Sequence, residues 1–145
     1  MTQSRFDSPE ASLAYMKEVA VKGSGFTRWL GVEPIRVWQG EAELELALRR
    51  EMTQHHGFAH GAIVGLMADN ACAWAGASVI GDVVTGGYTI NFLRPAIGDK
   101  LRARGTVIKP GKRQVVVRGD VWAESPGSEP LHIATAQATI IPTGR

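Results

Sequence analysis

The sequence predicts an α+β fold in which one long apolar helix is wrapped by a strongly curved, mostly antiparallel sheet. Three observations predict it. Residues 61–81, GAIVGLMADNACAWAGASVIG, carry a single charge, Asp69, and a helix that is apolar on most faces must be buried on most faces. Two strand-like runs precede this helix and four follow it, so helices do not alternate with strands and a doubly wound parallel sheet is disfavoured. Turn signals at Gln39-Gly40 and Lys109-Pro110-Gly111-Lys112 join neighbouring runs as hairpins, which makes the pairing antiparallel. The helix then needs a curved sheet, a partner subunit, or both to cover it.

The elements follow in order. Ser8-Pro9-Glu10 reads as a helix start, with Ser as N-cap, Pro at the first helical position and an acid in the first turn. Leu13, Met16, Val19 and Ala20 recur at helical spacing until Gly23 and Gly25, and residues 26–30 form one further turn. From Val32 the period is two. Residues 32–38 form a strand that Pro34 makes irregular or places at an edge. Residues 41–48 set Glu41, Glu43 and Glu45, a solvated face, against Ala42, Leu44, Leu46 and Leu48. After the long helix, residues 83–93 carry Tyr88, Ile90 and Phe92 on one side, with Gly86-Gly87 marking a bulge beside Thr85. Residues 100–109 set Leu101, Ala103, Gly105 and Val107 against Arg102, Arg104 and Thr106. A Val-rich strand at 113–123 and a last strand at 131–141 flank the loop Ser125-Pro126-Gly127-Ser128-Glu129-Pro130. The 145 residues form one domain, 1–145, of which 1–25 are a helical extension.

Composition excludes several classes. The formal net charge is +2, too mild for nucleic-acid binding by charge alone but tolerant of an anionic small ligand. The apolar run is just long enough to cross a bilayer, yet an Asp near the bilayer centre costs about 2.5–3.5 kcal/mol, so no membrane span is expected. The single Cys72 is read as a buried core thiol in a reducing compartment. With no signal peptide read at the start, the expected location is cytoplasmic. His56 and His60 are spaced like a metal pair, but Gly57 lies between them, no Glu follows His56 and no third ligand is evident, so no metal is expected. No phosphate-binding loop or dinucleotide fingerprint is present.

His60-Gly61, Ala68-Asp69-Asn70, Thr85 and the block Asn91-Phe92-Leu93-Arg94-Pro95-Ala96 with Gly98-Asp99-Lys100-Leu101 form an ordered set. This set resembles the hotdog-fold acyl-CoA thioesterases, in the branch of the phenylacetate-degradation type related to the 4-hydroxybenzoyl-CoA thioesterases. The resemblance covers residues 26–141. Ala62 stands where the family commonly has a second glycine, and Gln54 stands where many relatives have Asn.

The resemblance implies hydrolysis of acyl-CoA thioesters without metal or cofactor. Thioester hydrolysis needs a polarised carbonyl and an activated nucleophile. The first turn of a helix offers unpaired N–H groups and the positive dipole end, so the N–H of Gly61 is the expected oxyanion donor. Asp69 is expected to act as general base on water or as nucleophile. Gln54 would orient the carbonyl or the water, Thr85 would hold the water, and His60 would fix the turn and contact the thioester. Arg94, Lys112 and Arg113 are the expected contacts to the CoA phosphates. Trp74, five positions beyond Asp69, is either an acyl-pocket residue or ordinary core.

Gly61 and Asp69 are separated by ~12 Å along a continuous helix and by roughly 80° about its axis. One carbonyl cannot meet both on a single helix. The site is therefore expected to be shared, with Gly61 from one subunit facing Asp69 of a neighbour whose helix runs antiparallel, in a two-fold dimer or a dimer of dimers. Two rival readings remain open: a non-catalytic acyl-CoA sensor on the same fold, and an acyl-thioester hydratase.

Overall fold

A computed structural model describes residues 5–144; residues 1–4 of the expected N-terminal extension lie outside the described residues. Ser8 caps α1 (Pro9–Tyr15) by accepting from the N–H of Ala11. A π-helical turn, Met16–Val21, continues it. The sequence pattern predicts an unbroken helix here. The wider turn advances the register by one residue, so Ala20 and Val21 pack on the core while Val19 is 49% exposed. Ser24 caps α2 (Gly25–Leu30), and Gly31 ends it with φ 86°.

Six strands follow: β1 (Glu33–Trp38), β2 (Glu41–Ala47), β3 (Val83–Phe92), β4 (Lys100–Lys109), β5 (Val115–Glu124) and β6 (Leu131–Pro142). They form one sheet in the order β1-β2-β4-β5-β6-β3, every pair antiparallel. β1 and β3 are the edges. The register shift in β1 falls at Pro34, and that in β3 falls between Thr85 and Gly87, as the sequence pattern indicates. Gln39 and Gly40, with φ of 50° and 84°, turn the β1–β2 hairpin.

The long helix, α3 (Gly61–Ile80), lies in the concave side of the sheet. It is apolar and long enough to span a bilayer by composition, but it is the core helix here. Val64, Met67, Ala68, Ala71, Cys72 and Ala75 are buried against Leu44, Leu101, Val117, Val121 and Ile140. Close approach is made possible by two glycines paired across β4 and β5, Gly105 and Gly119. A Cβ on Gly105 would stand 2.1 Å from the carbonyl oxygen of Ala71, and one on Gly119 would stand 2.8 Å from the Cys72 sulfur. The helix backbone therefore rests directly on the sheet at this saddle.

Cys72 is buried there, and its thiol is pushed up to about 12, first by burial and then by the charges of Asp69 and Asp120. It is expected to stay unmodified by a disulfide exchange reagent in the native protein and to react stoichiometrically in denaturant, as thiol titration would register.

The outer face of the sheet is polar. Glu41, Glu43 and Glu45 do not simply face water: each reaches diagonally to a cation of β4, at 2.8 Å (Arg104), 3.3 Å (Arg102) and 3.1 Å (Lys100). Such partly exposed pairs are individually weak, but they fix the β2–β4 register. Further along, Arg118 and His132 each donate to Asp120 at 2.9 Å. Burial raises the pKa of Asp120, but the hydrogen bonds from Arg118, Thr135 and His132 outweigh it and hold the carboxyl below its ordinary value. A depressed folded pKa stabilises fully above the unfolded value of about 3.9 and is lost as pH falls through the folded value. Asp120→Asn is accordingly expected to be less stable than the parent at neutral pH and equal to it in strong acid, as urea midpoints across that range would reveal.

Candidate active site

His60 organises the N-terminus of α3. Its backbone is extended (φ −62°, ψ 139°), and its Nδ1 accepts from the N–H of Ala62 at 2.9 Å. Its carbonyl accepts from Ile63 and Val64. Of the four N–H groups that open this helix, three are therefore taken up by His60 alone. The fourth, that of Gly61, has no partner among the described residues. It stands at the positive end of a 20-residue helix. Because Nδ1 is an acceptor, neutral His60 carries its proton on Nε2, on an exposed ring.

The preceding loop is fixed by its own hydrogen bonds. The Gln54 N–H donates to the Phe58 carbonyl, and the Gln54 side-chain oxygen accepts from the N–H of His56. The carboxamide N–H groups of Gln54 are left for another partner.

Two turns along α3, Asp69 lies half-buried on the one stripe of the helix that the sheet leaves uncovered, with Ile63, Leu66, Asn70 and Ala73. Within one chain this acid is only half covered. β3 runs antiparallel to α3, which sets Phe92 against Gly61, Tyr88 against Gly65 and Thr85 against Asp69. The Thr85 hydroxyl donates to Asp69 Oδ1 at 2.6 Å. Thr85 thus contacts the acid directly, leaving Oδ2 free to accept another proton.

The structure brings Gln54, His60 and Gly61 together at the N-terminal end of α3 and sets Asp69 with Thr85 two turns along it. The predicted phosphate contacts also divide. Arg94 lines a cavity of about 410 Å³ beside Gly61, and its guanidinium donates to the His132 carbonyl at 2.7 Å. Lys112 and Arg113 sit exposed on the β4–β5 turn, which the register Val115↔Ile140↔Thr85 puts at the Asp69 end. Trp74 is buried among core residues rather than in that cavity. The cavity itself was not read from sequence. Its one signal is Phe92, on the same side of β3 as Tyr88 and Ile90.

The profile of the Thioesterase superfamily matches residues 56–129, which include the His60-Gly61 turn, all of α3 and the strands β3, β4 and β5. Among solved structures, a thioesterase family protein from Silicibacter pomeroyi is 32% identical, with a TM-score of 0.83 over 89% of this chain and 96% of that one. The E. coli PaaI protein of the phenylacetic acid degradation operon is similar in fold, at 24% identity and a TM-score of 0.84 over 94% of this chain and 97% of that one. A thioesterase from Haemophilus influenzae shares the fold at 22% identity and a TM-score of 0.76, covering 97% of this chain and 94% of that one. A long helix held in a curved antiparallel sheet is the hotdog fold of these proteins, and the chain belongs to the Thioesterase superfamily as a thioester hydrolase.

Proposed function

We propose that the chain hydrolyses acyl-CoA thioesters at two equivalent sites, each shared between two subunits of a cytoplasmic homodimer or dimer of dimers. The observation that carries this reading is the Gly61 N–H, left unpaired at a helix N-terminus where every neighbouring amide is satisfied. It is suited to receive the thioester oxygen as it turns anionic. Asp69, steadied by Thr85, takes a proton from water through Oδ2 or attacks the carbonyl itself. The His60 Nε2–H is a donor for the departing sulfur, and the Gln54 amide orients the carbonyl or the water.

Two features support sharing. β3 is an edge strand with Val84, Tyr88 and Phe92 all more than 40% exposed, and within Val83–Phe92 no Lys or Pro protects it. Beside it lies the uncovered stripe of α3. A two-fold axis near Gly65 would cover both, pair β3 with its copy and set Gly61 of one subunit opposite Asp69 of the other. The same operation brings Arg94 of one subunit to the end that holds Lys112 and Arg113 of the other, a basic rim for the CoA phosphates. The sensor reading is disfavoured, since ligand binding alone gives no reason for a carboxylate clamped by a hydroxyl at 2.6 Å. The hydratase reading is disfavoured, since within the chain Asp69 is hydrogen-bonded to the Thr85 hydroxyl and to no histidine among the described residues.

Thiol release from a panel of acyl-CoAs tests the reaction; binding without turnover would favour the sensor. Gly61→Pro tests the amide. Pro is suited to the first helical position, and the extended backbone of His60 suits a following Pro, so the helix is kept while the N–H is lost. We expect kcat to fall about 10²-fold to 10³-fold. Gly61→Ala keeps the N–H and asks only that the Phe92 ring, 3.3 Å from the new Cβ, give by a few tenths of an ångström; it is expected to stay within about tenfold of the parent. Mixing Gly61→Pro and Asp69→Asn subunits tests sharing. A mixed dimer regains one intact site if the sites are shared and none if each lies within one chain.

A further inference from the structure

Helix α3 carries Asp69, Asn70 and Ser78 among apolar residues. Two of the three are satisfied. Asp69 accepts from the Thr85 hydroxyl. Ser78 accepts from the Gly40 N–H at 2.9 Å and donates to the Ala75 carbonyl at 2.7 Å. Asn70 is the exception: its carboxamide nitrogen is buried and has no partner among the described residues. A buried donor without an acceptor is destabilising, and Asn is a poor residue for a helix interior. Packing alone gives no reason for it. Asn70 directly follows Asp69, on the stripe of α3 that the sheet leaves uncovered.

The inference rests on the shared-site hydrolase reading above. We infer that Asn70 turns out across the interface and donates its carboxamide N–H to the thioester oxygen held by Gly61 of the other subunit. The Gly61 N–H points nearly along the axis, off the start of its helix. An oxygen bound to it at about 2.9 Å lies about two residues beyond Gly61, at a rise of about 1.5 Å per residue. The two-fold axis that sets Gly61 opposite Asp69 sets His60 opposite Asn70. The oxygen therefore falls nearer the level of Asn70 than of Asp69, which leaves the acid to the water or the carbonyl carbon. As the carbonyl becomes tetrahedral its oxygen turns anionic, and a second donor aimed at it strengthens in step. A carboxamide suits the task, since it donates without a proton that titrates.

The test compares the parent, Asn70→Ala and Asn70→Asp by thiol release from acetyl-, hexanoyl-, decanoyl- and benzoyl-CoA and by urea unfolding. Asn70→Ala is expected to lower kcat about 10²-fold with KM within about threefold of the parent. Its urea midpoint is expected to equal or exceed the parent's, because the unpaired amide is gone. Asn70→Asp replaces the donor with a charge of the same sign as the oxyanion and is expected to be slower than Asn70→Ala. Mixed subunits locate the contact. Asn70→Ala mixed with Gly61→Pro keeps one site with both donors, and turnover is expected to rise about tenfold above either variant alone. Asn70→Ala mixed with Asp69→Asn keeps no intact site, and no rise is expected. Parental kcat in folded Asn70→Ala, or no rise in the mixture with Gly61→Pro, would overturn the role of Asn70 and leave thioester hydrolysis standing. A folded parent that releases thiol from none of the four substrates would overturn the hydrolase reading itself. If Asn70→Ala does not fold, Asn70→Asp, of the same shape as the parent residue, decides alone.

Discussion

Asp69→Asn is expected to lower kcat for thioester hydrolysis about 10³-fold, with KM changed by no more than about threefold. The substitution keeps the shape of the side chain and an oxygen for the Thr85 hydroxyl, now 2.6 Å from Oδ1. What it removes is the ability to take a proton or to form a bond to the carbonyl. On the proposed reading, binding relies on the Gly61 amide and the basic rim, neither of which is altered, so the loss belongs to the chemical step. Asp69→Ala should be as slow and should also free the Thr85 hydroxyl. Thr85→Val should cost less, about tenfold, because the acid persists and only its orientation is relaxed. Thiol release at saturating substrate, with thermal unfolding as the control for folding, measures all three. Unchanged turnover in Asp69→Asn would remove this residue from the mechanism. Single-turnover hydrolysis in heavy-oxygen water that leaves label in the enzyme would establish a covalent acyl-aspartate route, since general-base catalysis puts the label only in the released acid.

The second large effect concerns stability. Gly105→Ala is expected to destabilise the fold by about 3 kcal/mol or more. The added methyl would lie 2.1 Å from the Ala71 carbonyl oxygen and 2.5 Å from its carbon. These are backbone atoms of α3, so no rotamer change relieves the clash. Either the helix lifts from the sheet, opening voids along Ala68, Ala71 and Ala75, or β4 bends and its pairing with β2 and β5 is broken. Native domains hold only about 5–15 kcal/mol in reserve, so a large part of the margin is lost. Gly25→Ala is the control. Nothing lies within 4 Å of its new Cβ, it opens α2, and Ala is the better helix former, so it should be neutral or slightly stabilising. Urea unfolding of both variants, comparing midpoint and slope, gives the difference.

Much of the architecture was legible because local rules carry it. Alternation of apolar and polar residues placed β4 at residues 100–109, the bounds it has in the structure. A run with one charge in 21 residues marked α3. Pro34 and Gly86-Gly87 marked the irregularities in β1 and β3. The turn that opens α3 was readable for the same reason: a helix start leaves amides free whatever surrounds it, and a glycine there lets a ligand approach.

Other features depend on residues far apart in sequence. No local pattern reports that β3 pairs with β6 at the sheet edge rather than with its sequence neighbour β4, because strand order is set by how the whole sheet closes on α3. The contact of Thr85 with Asp69, 16 residues apart, exists only because β3 runs back along the helix. The π-helical turn after α1 shows the same limit, since its extra residue serves packing against β1 and the core.

The amino-acid sequence by itself determined the element types, the long buried helix, the glycine amide at its start and the acid midway along it, because each follows from side-chain period and backbone chemistry within a few residues. Only the tertiary structure decided which stripe of that helix stays uncovered, which amide His60 leaves unpaired and where a largely apolar cavity forms beside it. Those outcomes depend on which surfaces meet, and distant segments must pack before any of them exists.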